Sequence, residues 1–160
     1  MTRSEGSLAI IFTFMLAYIL TVMVLPDLLE YLRPEWVALI IIYWVIAIPH
    51  RVGVIVAWVV GIFQDVLVGA VLGQHALALS AVAYITYMLH MRIRVFPVWQ
   101  QSLSVLLLVG VYLMIVLMVQ RTVATSHWTL WYWLPALSSA VVWPWIVLPL
   151  RWLRKQYAIN

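Results

Sequence analysis

Thirteen of the fourteen charged side chains in this 160-residue chain fall in short breaks between long apolar runs, and only Asp65 lies inside one. A water-soluble domain spreads its charges over every element, because each element needs a solvated face. This chain concentrates them at the ends of its apolar segments, so it is a polytopic membrane protein. Composition agrees: 67% of residues are hydrophobic and 9% charged, against about 45 to 50% apolar and about 25% charged in soluble domains.

Breaks in hydropathy give six candidate spans, over 7–25, 36–48, 52–68, 76–89, 102–120 and 132–150, in one polytopic domain covering 1–160. The second and fourth are short. Thirteen or fourteen residues reach about 20 Å, less than the roughly 30 Å of hydrocarbon, so each must draw on flanking residues or thin the bilayer. The first run resembles a signal peptide, but its length and the lack of a small-x-small site at its end favour a retained span.

Placing the N-terminus in the cytoplasm puts Arg3, Arg51, Arg92, Arg94, Arg151, Arg154 and Lys155 inside and leaves Arg33 and Arg121 outside. This asymmetry follows the positive-inside rule and sets both termini in the cytoplasm. The sequence Pro49-His50-Arg51 reads as a tight cytoplasmic hairpin, since proline removes a helix donor and the next two residues are polar. Trp99, Trp128, Trp131, Tyr132, Trp133 and Trp152 sit near the proposed interfaces, where amphipathic rings settle. The stretch from His90 to Trp99 mixes bases with apolar anchors, which allows either a segment lying on the inner membrane surface or an ordinary loop.

Little in the sequence points to chemistry. There is no cysteine, and His50, His75, His90 and His127 lack metal-ligand spacing, so neither metal nor cofactor is expected. The net charge of +4 resides at helix ends, not on one face, which argues against nucleic-acid binding. Asp65 has no second intramembrane carboxylate, nucleophile or base at helical spacing, so the chain is expected not to be an enzyme.

Gly61, Asp65, Gly69 and Gly73 recur every four residues through the third span and its exit, a pattern that lets helices approach closely and shelters the carboxylate. Asp65 lies about 21 Å along the helix from Arg51, near the outer interface. It suits either a polar contact to a helix or ligand, or a capping carboxylate that reaches water. Gln64, Gln74 and His75 are available to complete an outer pocket. Pro144, between Trp143 and Trp145, predicts a kink in the last span, with either tolerance by neighbours or a shaped partner groove as its consequence.

The stretch Arg33-Pro34-Glu35-Trp36, then Tyr43-Trp44, Pro49-His50-Arg51, Gly61, Asp65, Gly69, Leu72-Gly73 and Trp143-Pro144-Trp145, resembles the MreD family of bacterial rod-shape-determining membrane proteins. The resemblance implies a non-enzymatic inner-membrane subunit of the cell-elongation machinery, partnered by MreC and working beside MreB, RodA and a class B penicillin-binding transpeptidase. It also implies a six-helix bundle similar to the S components of vitamin transporters, and hence a second reading, a small-molecule-binding transporter subunit. A scaffold needs an apolar groove facing lipid, whereas a binder needs a polar cavity open to water.

Overall fold

The computed structural model describes residues 3–123 and 129–157. Among them all regular structure is helical: α1 (Arg3–Val22), the one-turn α2 (Asp27–Glu30), α3 (Trp36–Ala47), α4 (Val54–Val68), α5 (Gln74–Val95), α6 (Val98–Val123), and α7 (Leu134–Gln156), preceded by a 3-10 turn at Leu130–Trp133. Three segments are long and apolar enough to cross a membrane: Gln74–Val95, Val98–Val123 and Leu130–Gln156. The apolar helices Gly6–Val22, Trp36–Ala47 and Val54–Val68 are shorter.

The short α3 is the core of the molecule. Eleven of its twelve residues are buried, from Val37 to Ala47, and it packs against α1, α5, α6 and α7. A helix that is apolar all round is stable where other helices surround it, which suits its short length: α3 is screened by its neighbours over nearly all of its surface. Trp44 fixes α1 on α3, its Nε1 donating to Thr13 Oγ1 at 2.9 Å. The Tyr18 hydroxyl donates to the Val60 carbonyl at 2.6 Å and ties α1 to α4.

Around α3 the neighbouring pairs α4 with α5, α5 with α6 and α6 with α7 pack extensively, whereas α1 and α7 do not close on each other. The outer faces carry Phe12, Ile55, Phe63, Met88, Leu107 and Trp145, all exposed. An apolar surface of that extent on every ring helix matches a lipid environment and not water.

The turn through Pro49, His50 and Arg51 connects α3 to α4, with the amides of Arg51 and Val52 both donating to the Ile48 carbonyl. The connection from α5 to α6 departs from both sequence expectations. Helix α5 runs on through His90, Arg92 and Arg94 to Val95, and only Phe96 and Pro97 separate it from α6. Gln101 makes this turn possible, because its side-chain amide donates to the Ile93 and Phe96 carbonyls at 3.1 and 3.2 Å and satisfies the end of α5. At 22 residues α5 is therefore long enough to cross a membrane. Helix α7 continues through Pro144 and Pro149, which leave the Ala140 and Trp145 carbonyls without their helical donors. His127 and Trp128 lie outside the described residues.

Candidate functional site

The seam between α4 and α5 is built on glycine and one carboxylate. A Cβ on Gly61 would lie 2.3 Å from Ala76 Cα and 2.5 Å from Ala76 N, so α5 rests directly on the α4 backbone at this point. One turn later α4 presents Asp65, only 1% exposed. Its Oδ2 accepts from the Gly73 amide at 2.8 Å, and its Oδ1 accepts from the His75 amide at 2.8 Å and from His75 Nδ1 at 2.7 Å. The first amides of α5 have no helical acceptors of their own, so an anion placed there satisfies them and meets the positive end of the helix dipole. Asp65 thus caps the following helix.

Only Gly61 and Asp65 share a helical face, since α4 ends at Val68. Gly69 and Gly73 form the turn that brings Asp65 to α5, with left-handed φ values of 67° and 96°. No other atoms crowd either position, so backbone conformation alone calls for glycine there. The Gly69 and Ala70 amides both donate to the Asp65 carbonyl, closing the end of α4.

Next to this seam, at the end opposite the arginine-rich turns, a cavity of about 540 Å³ opens among Glu35, His75, Tyr112, Gln120 and Tyr132. Tyr112 is buried on α6, where its hydroxyl accepts from Gln64 Nε2 at 3.2 Å and lies near the Glu35 carboxylate across the cavity. Burial pushes the Glu35 carboxyl up to about 7, against the opposing effects of nearby Tyr112 and Arg33. The Glu35 amide donates to Ser139 Oγ at 3.0 Å, pinning the start of α3 to α7. Arg33 donates to the Thr21 and Met23 carbonyls at the end of α1.

A second feature lies where the ring is open. Phe12, Leu16 and Leu20 of α1 face Trp145, Pro149 and Leu153 of α7 across an apolar groove of about 360 Å³. Its floor is Trp36 and Ile40 of α3.

The family model for the rod shape-determining protein MreD matches residues 2–153, which include all of these features. The chain belongs to the MreD family. It is similar to the rod shape-determining protein MreD of Haemophilus influenzae, 32% identical over 149 residues that make up 92% of this chain and 91% of the relative. No solved structure matches.

Within this MreD-family chain the structure brings Gly61, Asp65, Gly69 and Gly73 together at one seam, while Pro49, His50 and Arg51 lie at the far end of α4. Pro144 lies within α7, whose later turns wall the groove. Of the polar residues near Asp65, His75 lines the cavity and Gln64 reaches it through Tyr112, whereas Gln74 is buried and does not line it. The sequence reading missed Glu35 and Tyr112. Glu35 lies in the break before an apolar run, where an acid at a helix start is common and does not by itself mark a site. Tyr112 carried no signal within its apolar run.

Proposed function

We propose that this chain is a non-enzymatic scaffold of the bacterial cell-elongation complex. It crosses the inner membrane six times as one domain, with both termini in the cytoplasm. The open groove between α1 and α7 carries this reading, by receiving the single transmembrane helix of MreC. MreB, RodA and a class B penicillin-binding transpeptidase then assemble around that pair, so peptidoglycan synthesis is directed and not performed by this chain.

The groove suits a helix because it is apolar, faces the lipid side, and has α3 as its floor. In a bilayer, helices associate through close packing more than through removal of water, and a groove that lipid chains fill poorly favours a helix that fills it well. The Gly61 face is already occupied by α5, so an incoming helix there would have to displace part of the fold. The transporter reading finds no support in a family named for rod shape.

Cross-linking tests this assignment. The chain has no cysteine, so each introduced thiol is unique. Leu16→Cys and Ile146→Cys, which line the groove, are expected to cross-link to thiols along the MreC transmembrane helix, and Ile55→Cys and Val66→Cys on the outer face of α4 are not. Cross-links confined to the α4 positions would overturn the groove assignment.

A further inference from the structure

At the end opposite the Glu35 cavity, a small cleft of about 60 Å³ is enclosed where α3, α5, α6 and α7 meet. Its walls include Arg94 from the last turn of α5, Arg151 and Arg154 from α7, Gln101 from α6 and Tyr43 from α3. No carboxylate lines it, and among the described residues none of these arginines is ion-paired. We propose that this cleft binds the phosphate of an anionic phospholipid headgroup.

Basic residues at helix ends complement the helix dipole whatever else they do, and they anchor topology. Neither purpose explains Tyr43. It is 5% exposed, and no well-formed hydrogen bond satisfies its hydroxyl, although Arg154 and Arg151 are close enough to interact with it. An acceptor oxygen seated beside it would satisfy that hydroxyl. Three guanidinium groups around the same space repel one another until an anion enters.

The rest of the cleft is prepared for that anion. Gln101 is not free to bind it, because its amide is spent on the α5 carbonyls and its Oε1 accepts from the Trp143 indole at 3.4 Å. Gln101 instead holds α5, α6 and α7 in register. The cleft is small and open on one side, which suits a compact anionic group entering from the surface. Polarity is graded as a lipid would require: Arg94 and Arg151 are exposed at the mouth, Arg154 is half-buried and Tyr43 lies at depth. Trp152, which follows Arg151 on α7, is exposed and lines the apolar groove between α1 and α7, so a lipid-facing surface adjoins the helix that carries two of the arginines, which favours a phospholipid over free phosphate. Basic pockets between helices on the cytoplasmic side are suited to anionic headgroups.

Lipid titration of the purified full-length protein, read by native mass spectrometry, tests the proposal. Phosphatidylglycerol should bind wild-type protein in preference to phosphatidylethanolamine, and inorganic phosphate should not compete with it. The double variant Arg151→Gln/Arg154→Gln should lose about 25-fold in affinity, at about 1 kcal/mol per basic residue. Tyr43→Phe should lose about fivefold, from one hydrogen bond. Arg92→Gln/Lys155→Gln removes the same charge outside the cleft and should retain affinity. An equal loss in this last variant would mean that diffuse charge attracts the lipid and would overturn the site. Equal binding of phosphatidylethanolamine, or competition by inorganic phosphate, would overturn the lipid assignment.

Discussion

The two edges of α1 and α4 that face away from each other meet very different partners. Between α4 and α5 a glycine removes the side chain at the contact, and a buried carboxylate spans the seam with three hydrogen bonds shorter than 3 Å. Between α1 and α7 large apolar side chains face each other over an unfilled groove. Apolar burial cannot distinguish the two seams, since lipid tails satisfy leucine as well as a neighbouring helix does. The closed seam is held by small residues and buried polar contacts. At the open seam the hydrogen bonds of Thr13 run within α1 and to α3, not across to α7, so the contents of the groove can be exchanged for another helix.

Gly61 offers the strongest way to break the closed seam. A Cβ there meets backbone, which has no rotamer with which to move aside. Gly61→Leu is expected to separate α4 from α5 and to cost more than the roughly 1 to 3 kcal/mol of ordinary overpacking, so that little folded protein accumulates. Gly61→Ala should lower the thermal midpoint while leaving a folded fraction to measure. A wild-type midpoint in the alanine variant would show that the helices are not in backbone contact.

Asp65 comes next. Asp65→Ala leaves the part-buried Gly73 and His75 amides without their acceptor, at up to about 1 to 3 kcal/mol each. Asp65→Asn retains one side-chain carbonyl oxygen but supplies donors where the other acceptor stood, and loses the charge that answers the helix dipole. The expected order of thermal stability is wild type, then asparagine, then alanine. If alanine equalled wild type, Asp65 would have to serve something other than the cap, and its place in the seam would need another explanation.

The sequence made Asp65 conspicuous and placed Gly73 and His75 near it, but did not show that it caps the following helix through them. Charge distribution exposed a single intramembrane acid and a helical class, because burying ions in lipid is costly enough to shape the whole chain. The four-residue spacing suggested one helical stripe, but two of its four positions are a turn, since glycine serves close packing and left-handed backbone equally well. Span lengths depend on tertiary surroundings for a related reason. The apolar run over 36–48 is short for a span, and the helix it forms is enclosed by protein. The fourth span seemed short because His90, Arg92 and Arg94 signal a loop, and what allows them to remain helical is Gln101 on the next helix. That contact is tertiary, and no local pattern records it. The groove is likewise a product of which helices fail to meet.

Glu35 probes the border of the closed seam, where the Tyr112 chain reaches toward α4 through Gln64. With its carboxyl raised to about 7, the folded state holds the proton more tightly than the unfolded chain does. Its contribution to stability is therefore greatest in acid, falls as pH rises from the ordinary carboxylate range to about 7, and is level above that. Glu35→Gln should flatten this slope and raise the midpoint above pH 7. The effect should be smaller than that of Asp65→Ala, because Glu35 is only half-buried and its surroundings are partly screened by water. An unchanged slope in Glu35→Gln would show that Glu35 is not the group that carries this pH dependence.

The smallest effect on the fold is expected from filling the open seam. Leu16 is 47% exposed on the wall of the groove, so Leu16→Trp adds volume where nothing must move. Stability should stay within about 0.5 kcal/mol of wild type, as for surface changes away from special contacts. Recovery of MreC in co-purification should nonetheless fall, because the indole occupies the space proposed for its helix. The same substitution on the lipid face of α4, Val66→Trp, supplies equal bulk outside the groove and should leave recovery unchanged. Large stability losses in Leu16→Trp would mean that α1 and α7 close on each other more tightly than the groove implies. If the protein kept its stability and bound MreC as well as wild type does, the open seam would be a lipid site, and the comparison with the closed one would no longer bear on partner choice.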